Sequence, residues 1–340
     1  MEQMKQPPHL KTNPMMGLVI HEGHMIAIGI DLGGTNIKGA LVKQGEGILD
    51  QLSIPTQADQ GRDHVLDRVA TLVHELSQKT DQEVDAVGIG VPGMVNRAGD
   101  IVSYPPNFPG WKEEPVPALL QERVHRPCFM GNDANLAALG CARFGVGLGY
   151  DDFIMITLGT GVGGGIIMDR HLYVGPHGSA AELGHIVINY HGPLSNSNTR
   201  GGIEAYLGQR FLSRFAADLI RQHPENPLQK YAPNDFEGLD PLALYEEAVR
   251  GNVLAIDILK QSGEKLGYAI VNYIHVLDIR TIVVSGGVAR AGDYLLEPAR
   301  ETARKYLMPP FREGFDILYE PLSNEAAMLG AASLAMESCD

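Results

Sequence analysis

Two glycine-rich turns and a set of scattered carboxylates are the residues of this chain whose types and spacing could do chemistry. In FIMITLGTGVGGGIIM (153–168) an apolar run, Phe153 to Thr157, enters a turn holding Gly159, Gly161, Gly163, Gly164 and Gly165, and a second apolar run leaves it without helical spacing. Glycines clustered beside Thr160 allow backbone N–H groups to approach a phosphate with no Cβ in the way. Shortly after, Glu182, His185 and Glu204 offer acceptors and donors of the kind that grip sugar hydroxyls. A phosphate turn followed by a polyol grip implies phosphoryl transfer.

The same arrangement occurs earlier. Ile26 to Ile30 leads into DLGGTNIKGALV (31–42), a second strand, glycine turn, strand unit with Gly33, Gly34 and Thr35 at its bend, about 130 residues before the first. That repeat predicts a duplicated α/β unit whose turns face one cleft. The spacing G-x-G-x-x-G does occur at Gly159, Gly161 and Gly164, but a dinucleotide fingerprint must open a helix, and Ile166 to Met168 continue as strand. No Walker A sequence is present. Asp133, in GND (131–133), falls where a strand gives way to a helix, a position favoured by the helix dipole and equally suited to a helix cap.

These residues need a scaffold, and hydrophobic periodicity predicts one. Asp63 to Lys79 carries a helical stripe, Val84 to Val91 reads as a strand ending at Pro92 and Gly93, and a proline-rich loop (YPPNFPGW, 104–111) follows. Helices are expected over Val116 to Val124 and Ala134 to Phe144, then one from Ala205 to Arg221, then Pro241 to Val249, Val253 to Val276, Tyr294 to Tyr306 and Glu325 to Met336. Strands are expected at Pro127 to Met130, Thr281 to Val284 and Phe315 to Tyr319, with Ser285, Gly286 and Gly287 as another strand-end turn. Alternation of this kind argues an α/β fold.

With 340 residues, 44% hydrophobic and 20% charged, the chain has the composition of a globular protein large enough for two domains. A net charge of −14 argues against a nucleic-acid surface. No apolar run reaches the ~18 residues of a membrane span and no signal architecture opens the chain, so the expected address is cytoplasmic. Residues 1–25 carry prolines and no usable period, and are expected to form a flexible arm. Cys128, Cys141 and Cys339 lack metal-like spacing and are read as two buried residues and one in the tail.

Assembled in order, DLGGTNIKG, GND, LGTGVGGG, ELGH with the later IEAY, and SGG closely resemble the ROK family of repressors and sugar kinases over about Ile26 to Ala335. The resemblance implies a duplicated actin-like ATPase (ribonuclease H-like) fold with two domains around a central cleft. The divisions expected are residues 26–132 as the smaller α/β domain, 133–324 as the larger, and 325–340 as a helix packing back on the smaller. The reaction implied is transfer of the ATP γ-phosphate to a hexose, with glucose favoured by PNFPGW. An N-acetylmannosamine or fructose kinase is the alternative, followed by a silent sugar-binding or regulatory protein. The repressors of this family carry a helix-turn-helix domain before the first phosphate turn, whereas 30 residues precede Asp31 here.

By the same resemblance Asp133 is the base for the attacking hydroxyl, Asp31 holds Mg²⁺ through water, and Gly33, Gly34, Thr35, Thr160 and Gly161 contact phosphates. Asn107, Asn132, Glu182, His185 and Glu204 orient the sugar together with Asp133, and Gly286 and Gly287 admit the adenosine. A homodimer is implied as well. Simpler readings stand beside these roles: a satisfied internal imidazole for His185, solvated helix starts for Glu182 and Glu204, tight packing for Gly286 and Gly287, and turn chemistry for Asn107. One departure stands out. Most ROK kinases follow ELGH with three cysteines that hold zinc together with that His, and the corresponding positions here are Ser195, Ser197 and Gly202. Hydroxyls do not replace thiolates on Zn²⁺, so no zinc site is expected and local hydrogen bonds are expected to hold this loop.

Overall fold

The computed structural model describes residues 25–322 and 325–339, so the expected N-terminal arm lies outside the described residues except for Met25. In chain order the first half contains β1 (Ile26–Leu32), β2 (Asn36–Lys43), β3 (Gly47–Pro55), α1 (Arg62–Ser77), β4 (Ala86–Val91), β5 (Met94–Val95), β6 (Val102–Ser103), β7 (Glu113–Glu114), α2 (Val116–Val124) and β8 (Cys128–Asn132). The rest runs α3 (Asp133–Phe144), β9 (Phe153–Leu158), β10 (Val162–Met168), β11 (His171–Leu172), α4 (Glu204–Leu207), α5 (Gln209–Ile220), α6 (Pro241–Val249) and α7 (Val253–Leu277). It closes with β12 (Thr281–Ser285), α8 (Asp293–Tyr306), α9 (Pro309–Arg312), β13 (Asp316–Tyr319) and α10 (Glu325–Cys339).

Two five-stranded sheets repeat one plan, in the orders β3-β2-β1-β4-β8 and β11-β10-β9-β12-β13. In each, a lead strand (β1 or β9) pairs antiparallel with the strand after its glycine turn and parallel with a strand from later in the chain. Residue size alternates along β1. Ile26, Ile28 and Ile30 point into one core with Val87 and Ile89 of β4, while Ala27 and Ala86 point to the opposite face, under α10. Fully burying each such aliphatic side chain contributes about 1.5–3 kcal/mol. The small residues on the reverse face let α10 lie close against the sheet.

Helix α3 does for the second sheet what α10 does for the first, packing Ala137, Ala138 and Cys141 against Phe153, Met155 and Ile167. The two helices cross at Gly140 and Gly330, where a Cβ on either would overlap the other helix's backbone. Small residues at this crossing bring both sheets near one axis.

Three sequence expectations need correction. The helix expected from Ala205 to Arg221 is two, α4 and α5, because Gly208 takes extended backbone (ψ 137°) and lets the Gln209 N–H turn away to the Gly159 carbonyl at 2.9 Å. Strand β3 was not anticipated, nor was the small β5-β6-β7 sheet that carries the proline-rich loop between its second and third strands. The cap of α3 is Asn132, whose Oδ1 accepts from the Ala134 and Asn135 N–H groups at 3.0 Å each, and Asp133 opens the first turn. Cys128 and Cys141 are buried and Cys339 is exposed, as read from the sequence.

Candidate active site

In open α/β sheets ligands gather beyond the carboxyl ends of parallel strands. Here the ends of β1, β4, β8, β9 and β12 all open on one cleft of about 750 Å³. Of the sequence candidates, Asp31, Asn132, Asp133, Thr160, Gly161, Glu182, His185, Glu204, Gly286 and Gly287 line it. These come from positions as far apart as 31 and 287, brought together by the packing of α3 on α10 between the two sheets.

Asp133 faces the cleft from the first turn of α3, with its Oδ1 accepting from the Ala134 N–H at 2.8 Å. Burial, and then the nearby charge of Asp31, push its carboxyl up from 3.8 to about 6, against the opposing pull of that N–H. Asp31, at the end of β1, is also raised by burial, with Lys38 offsetting part of the effect. Asp31 and Asp133 line the same cleft and each opposes the other's ionisation, which a bound cation would relieve.

The part of the cleft lined by Glu182, His185 and Glu204 is built on irregular backbone pinned at several points. Tyr273 donates its hydroxyl to the Leu183 carbonyl at 2.8 Å, and Ile203 N–H donates to the Ile186 carbonyl at 3.1 Å, tying the Glu182 to His185 turn to Glu204. Glu204 in turn accepts from the Val162 N–H at 3.3 Å, so this carboxylate is docked on the second glycine turn. A Cβ at Gly161 would lie 2.5 Å from Glu204 Oε2, so only glycine leaves room for that contact. His185 is oriented on both sides: Ser197 Oγ lies 3.1 Å from its Nδ1 and Glu182 Oε2 lies 3.5 Å from its Nε2.

The Ser195 to Gly202 loop is a hydrogen-bonded knot. Ser195 and Ser197 hydroxyls are 2.8 Å apart, and the Thr199 N–H donates to Ser195 Oγ at 3.2 Å. Neutral hydroxyls and a glycine do not fit a zinc ion, which takes thiolate, imidazole or carboxylate, and His185 Nδ1 already has Ser197 as its partner. Among the described residues no group of three or more His, Cys, Asp or Glu is placed to hold a metal by itself.

Four candidates fall outside the lining of this cavity. Gly33, Gly34 and Thr35 do not line the cleft cavity, and the Gly33 N–H is spent on the Asn36 carbonyl at 3.1 Å. Asn107 is exposed, takes a left-handed φ of 68°, and lies against Gly34. Asn132 lines the cleft but its amide is largely committed, capping α3 and donating from Nδ2 to the Gly93 carbonyl at 3.1 Å. Sequence reasoning missed Thr157, Tyr104 and Ser285 in the lining. It also missed Arg210 and Arg214, which share a cavity of about 390 Å³ with Thr160. Two arginines at i, i+4 spacing just after Glu204 in a strongly acidic chain were the available signal.

A model of the ROK family matches residues 27–338. The chain belongs to the ROK family. Among ROK relatives, it is 36% identical to the glucokinase of Thermotoga maritima over 310 residues, covering 91% of this chain and 97% of the relative. It is 34% identical to the glucokinase of Streptomyces coelicolor over 315 residues, covering 92% of this chain and 98% of that one. Among solved ROK structures, the glucokinase of Streptomyces griseus in complex with glucose and AMPPNP superposes with a TM-score of 0.79 at 34% identity, covering 92% of this chain and 99% of that chain. The fold is the duplicated actin-like ATPase fold expected from the sequence. Among the described residues, no helix is long and apolar enough to cross a membrane.

Proposed function

We propose that this chain is a sugar kinase that transfers the γ-phosphate of ATP to a hexose, with glucose giving glucose 6-phosphate as the favoured reaction. The observation that carries the reading is that Asp133 lines one cleft together with Glu182, His185 and Glu204 and with the turn residues Thr160, Gly161 and Gly286. The glucokinases described above, one of them holding glucose with an ATP analogue, support the choice of acceptor and donor.

Phosphoryl transfer asks a protein for in-line positioning and charge neutralisation rather than covalent chemistry. In this reading Glu182, His185 and Glu204 grip the sugar hydroxyls so that O6 faces Asp133. The Asp133 carboxylate orients that hydroxyl and accepts its proton as the O–P bond forms. A carboxyl held at about 6 is a better base than an ordinary aspartate and is still ionised at neutral pH. Thr160 and Gly161 contact the phosphates, and Gly286, whose φ of 97° excludes a side chain without strain, leaves the adenosine its path with Gly287. Arg210 and Arg214, beside Thr160, add positive charge along the donor path.

Asp31 fits a hard cation, since Mg²⁺ commonly takes one or two carboxylates and completes its shell with water and phosphate oxygens. Bound with the nucleotide, Mg²⁺ would neutralise charge on the transferring phosphate. The halves taken here as residues 26–132 and 133–324 close over the sugar and exclude water as a competing acceptor, with the C-terminal segment from 325, which carries α10 (Glu325–Cys339), on the smaller half. Assembly as a homodimer belongs to the same proposal and is read by sedimentation.

The test is a coupled phosphorylation assay with ATP over glucose, mannose, fructose, N-acetylglucosamine and N-acetylmannosamine. Glucose is expected to give the largest kcat/KM. A preference for N-acetylmannosamine or fructose would move the assignment within the family. Hexose binding with no ATP consumption on any acceptor would make the protein a sugar-binding or regulatory member.

A further inference from the structure

Helix α3 separates two cavities. Asp133, Ala134 and Ala137 face the active-site cleft, whereas Asn135, Leu136 and Leu139 face a second cavity of about 440 Å³ behind it. One side of this back cavity is the Val95 to Asp100 turn with the end of β8, from the first half of the chain. The other side is β11 and the loop through Gly178, from the second. The sides meet where Gly178, at φ 90°, lies against the backbone of Val95 and Asn96, an approach that a side chain there would block. An occupant would therefore contact both halves of the molecule.

Asn135 is the unusual residue of this cavity. It is only 4% exposed, and its backbone N–H is used by the α3 cap. Among the described residues its side-chain amide makes no hydrogen bond. Buried amides ordinarily find partners, because an unmade hydrogen bond away from bulk water is costly. Trp111 Nε1 is the one fully sealed polar side-chain atom without a partner among the described residues, and Asn135 lines the cavity, so among those residues its amide has only the cavity space to turn to. No catalytic role assigned above uses it.

The remaining surfaces narrow the chemistry of what would satisfy that amide. Phe129, Met130, Leu136, Leu139, Leu172 and Leu334 make the body of the cavity apolar. At its edge Arg97 and Asp100 cancel in net charge, and Glu337 is engaged by Arg143 at 2.6 Å. The field thus favours neither an anion nor a cation. A volume of this order lies in the range of small-molecule sites, which combine apolar walls with a few placed polar groups.

We propose that this back cavity is a second ligand site, for a neutral small molecule with an apolar body and one carboxamide-type group that pairs with Asn135. A carboxamide both donates and accepts, and so matches an Asn side chain face to face. The proposal concerns binding alone and is independent of which sugar is phosphorylated.

The full chain is titrated with benzamide and, separately, with acetophenone, which keeps the ring and carbonyl but replaces the NH₂ by a methyl group, and binding is followed by ligand-observed NMR and calorimetry. Saturable benzamide binding that glucose does not displace is expected, about tenfold or more tighter than acetophenone, the worth of one well-made buried hydrogen bond. Asn135→Leu should make the two probes bind alike. Val174→Trp, at a partly buried lining position, should remove both, and it carries the test if Asn135→Leu does not fold. Equal affinities in the unaltered protein, displacement by glucose, binding indifferent to both substitutions, or no benzamide binding up to its solubility would each overturn the proposal.

Discussion

Replacing Asp133 with Asn should make the protein more stable while abolishing its activity, and the size of the gain should depend on pH in a way the site geometry dictates. The folded-state carboxyl is raised from 3.8 to about 6, chiefly by burial and then by Asp31. A group whose folded pKa lies above its unfolded value binds its proton more tightly when folded. Its favourable contribution is complete below pH 3.8 and is lost as pH rises through about 6. At pH 8 the native enzyme therefore holds an unwelcome charge that Asn, of the same shape and still able to accept from the Ala134 N–H, does not carry. Two pKa units at 1.36 kcal/mol each set a ceiling of about 3 kcal/mol for the gain, and water reaching the carboxyl from the open cleft brings it toward about 2 kcal/mol. At pH 4.5 the gain should shrink to about 1 kcal/mol or less. Urea unfolding of both proteins at pH 4.5, 6 and 8 measures the difference, and a coupled assay at pH 8 should show kcat down by at least ~10². A gain that is absent at pH 8, or equal at all three pH values, would refute the electrostatic account. Retention of half the turnover would reduce Asp133 to a structural first-turn residue.

The remaining expectations follow from the same site. If Asp133 is the base proposed above, kcat/KM of the native enzyme should fall about tenfold per pH unit below an acid limb near 6, since a base must be ionised to accept the proton. Glu204→Gln should raise the hexose KM more than it lowers kcat; equal losses in kcat and kcat/KM would move Glu204 among the groups that act in the transition state. Gly161→Ala should raise the hexose KM as well as the ATP KM, since the new Cβ meets Glu204 Oε2, and an effect on ATP alone would contradict the docking of that carboxylate on the glycine turn. Ser197→Ala should loosen His185 and raise the glucose KM several-fold with the fold intact, while elemental analysis finds no zinc; one zinc per chain with activity lost on chelation would overturn the reading of this loop.

What could be read directly in the sequence is local. A glycine turn between two apolar strands has the same meaning wherever the chain goes afterwards, so β1 with β2 and β9 with β10 were legible with their turns. Helices with a strong apolar stripe were legible too, such as α1 and α7. Strand β3 was not, because alternately exposed residues beside an ordinary turn carry a weak signal, and the break at Gly208 was not, because a helical pattern runs through it. Other properties belong only to the folded chain. Asp133 owes its raised pKa to burial and to Asp31, about a hundred residues earlier, and no local pattern encodes a desolvation. Asn107 and Asn132 carried the same motif-based expectation, yet one is turned out against Gly34 and the other spends its amide on a helix cap and Gly93. Ser195, Ser197 and His185 could be named from spacing, but their mutual hydrogen bonds could not. Hydrophobic period and glycine placement act over a few residues, whereas ionisation, hydrogen-bond partners and cavity walls are set by which distant segments the two sheets and the helices packed on them bring within a few ångströms.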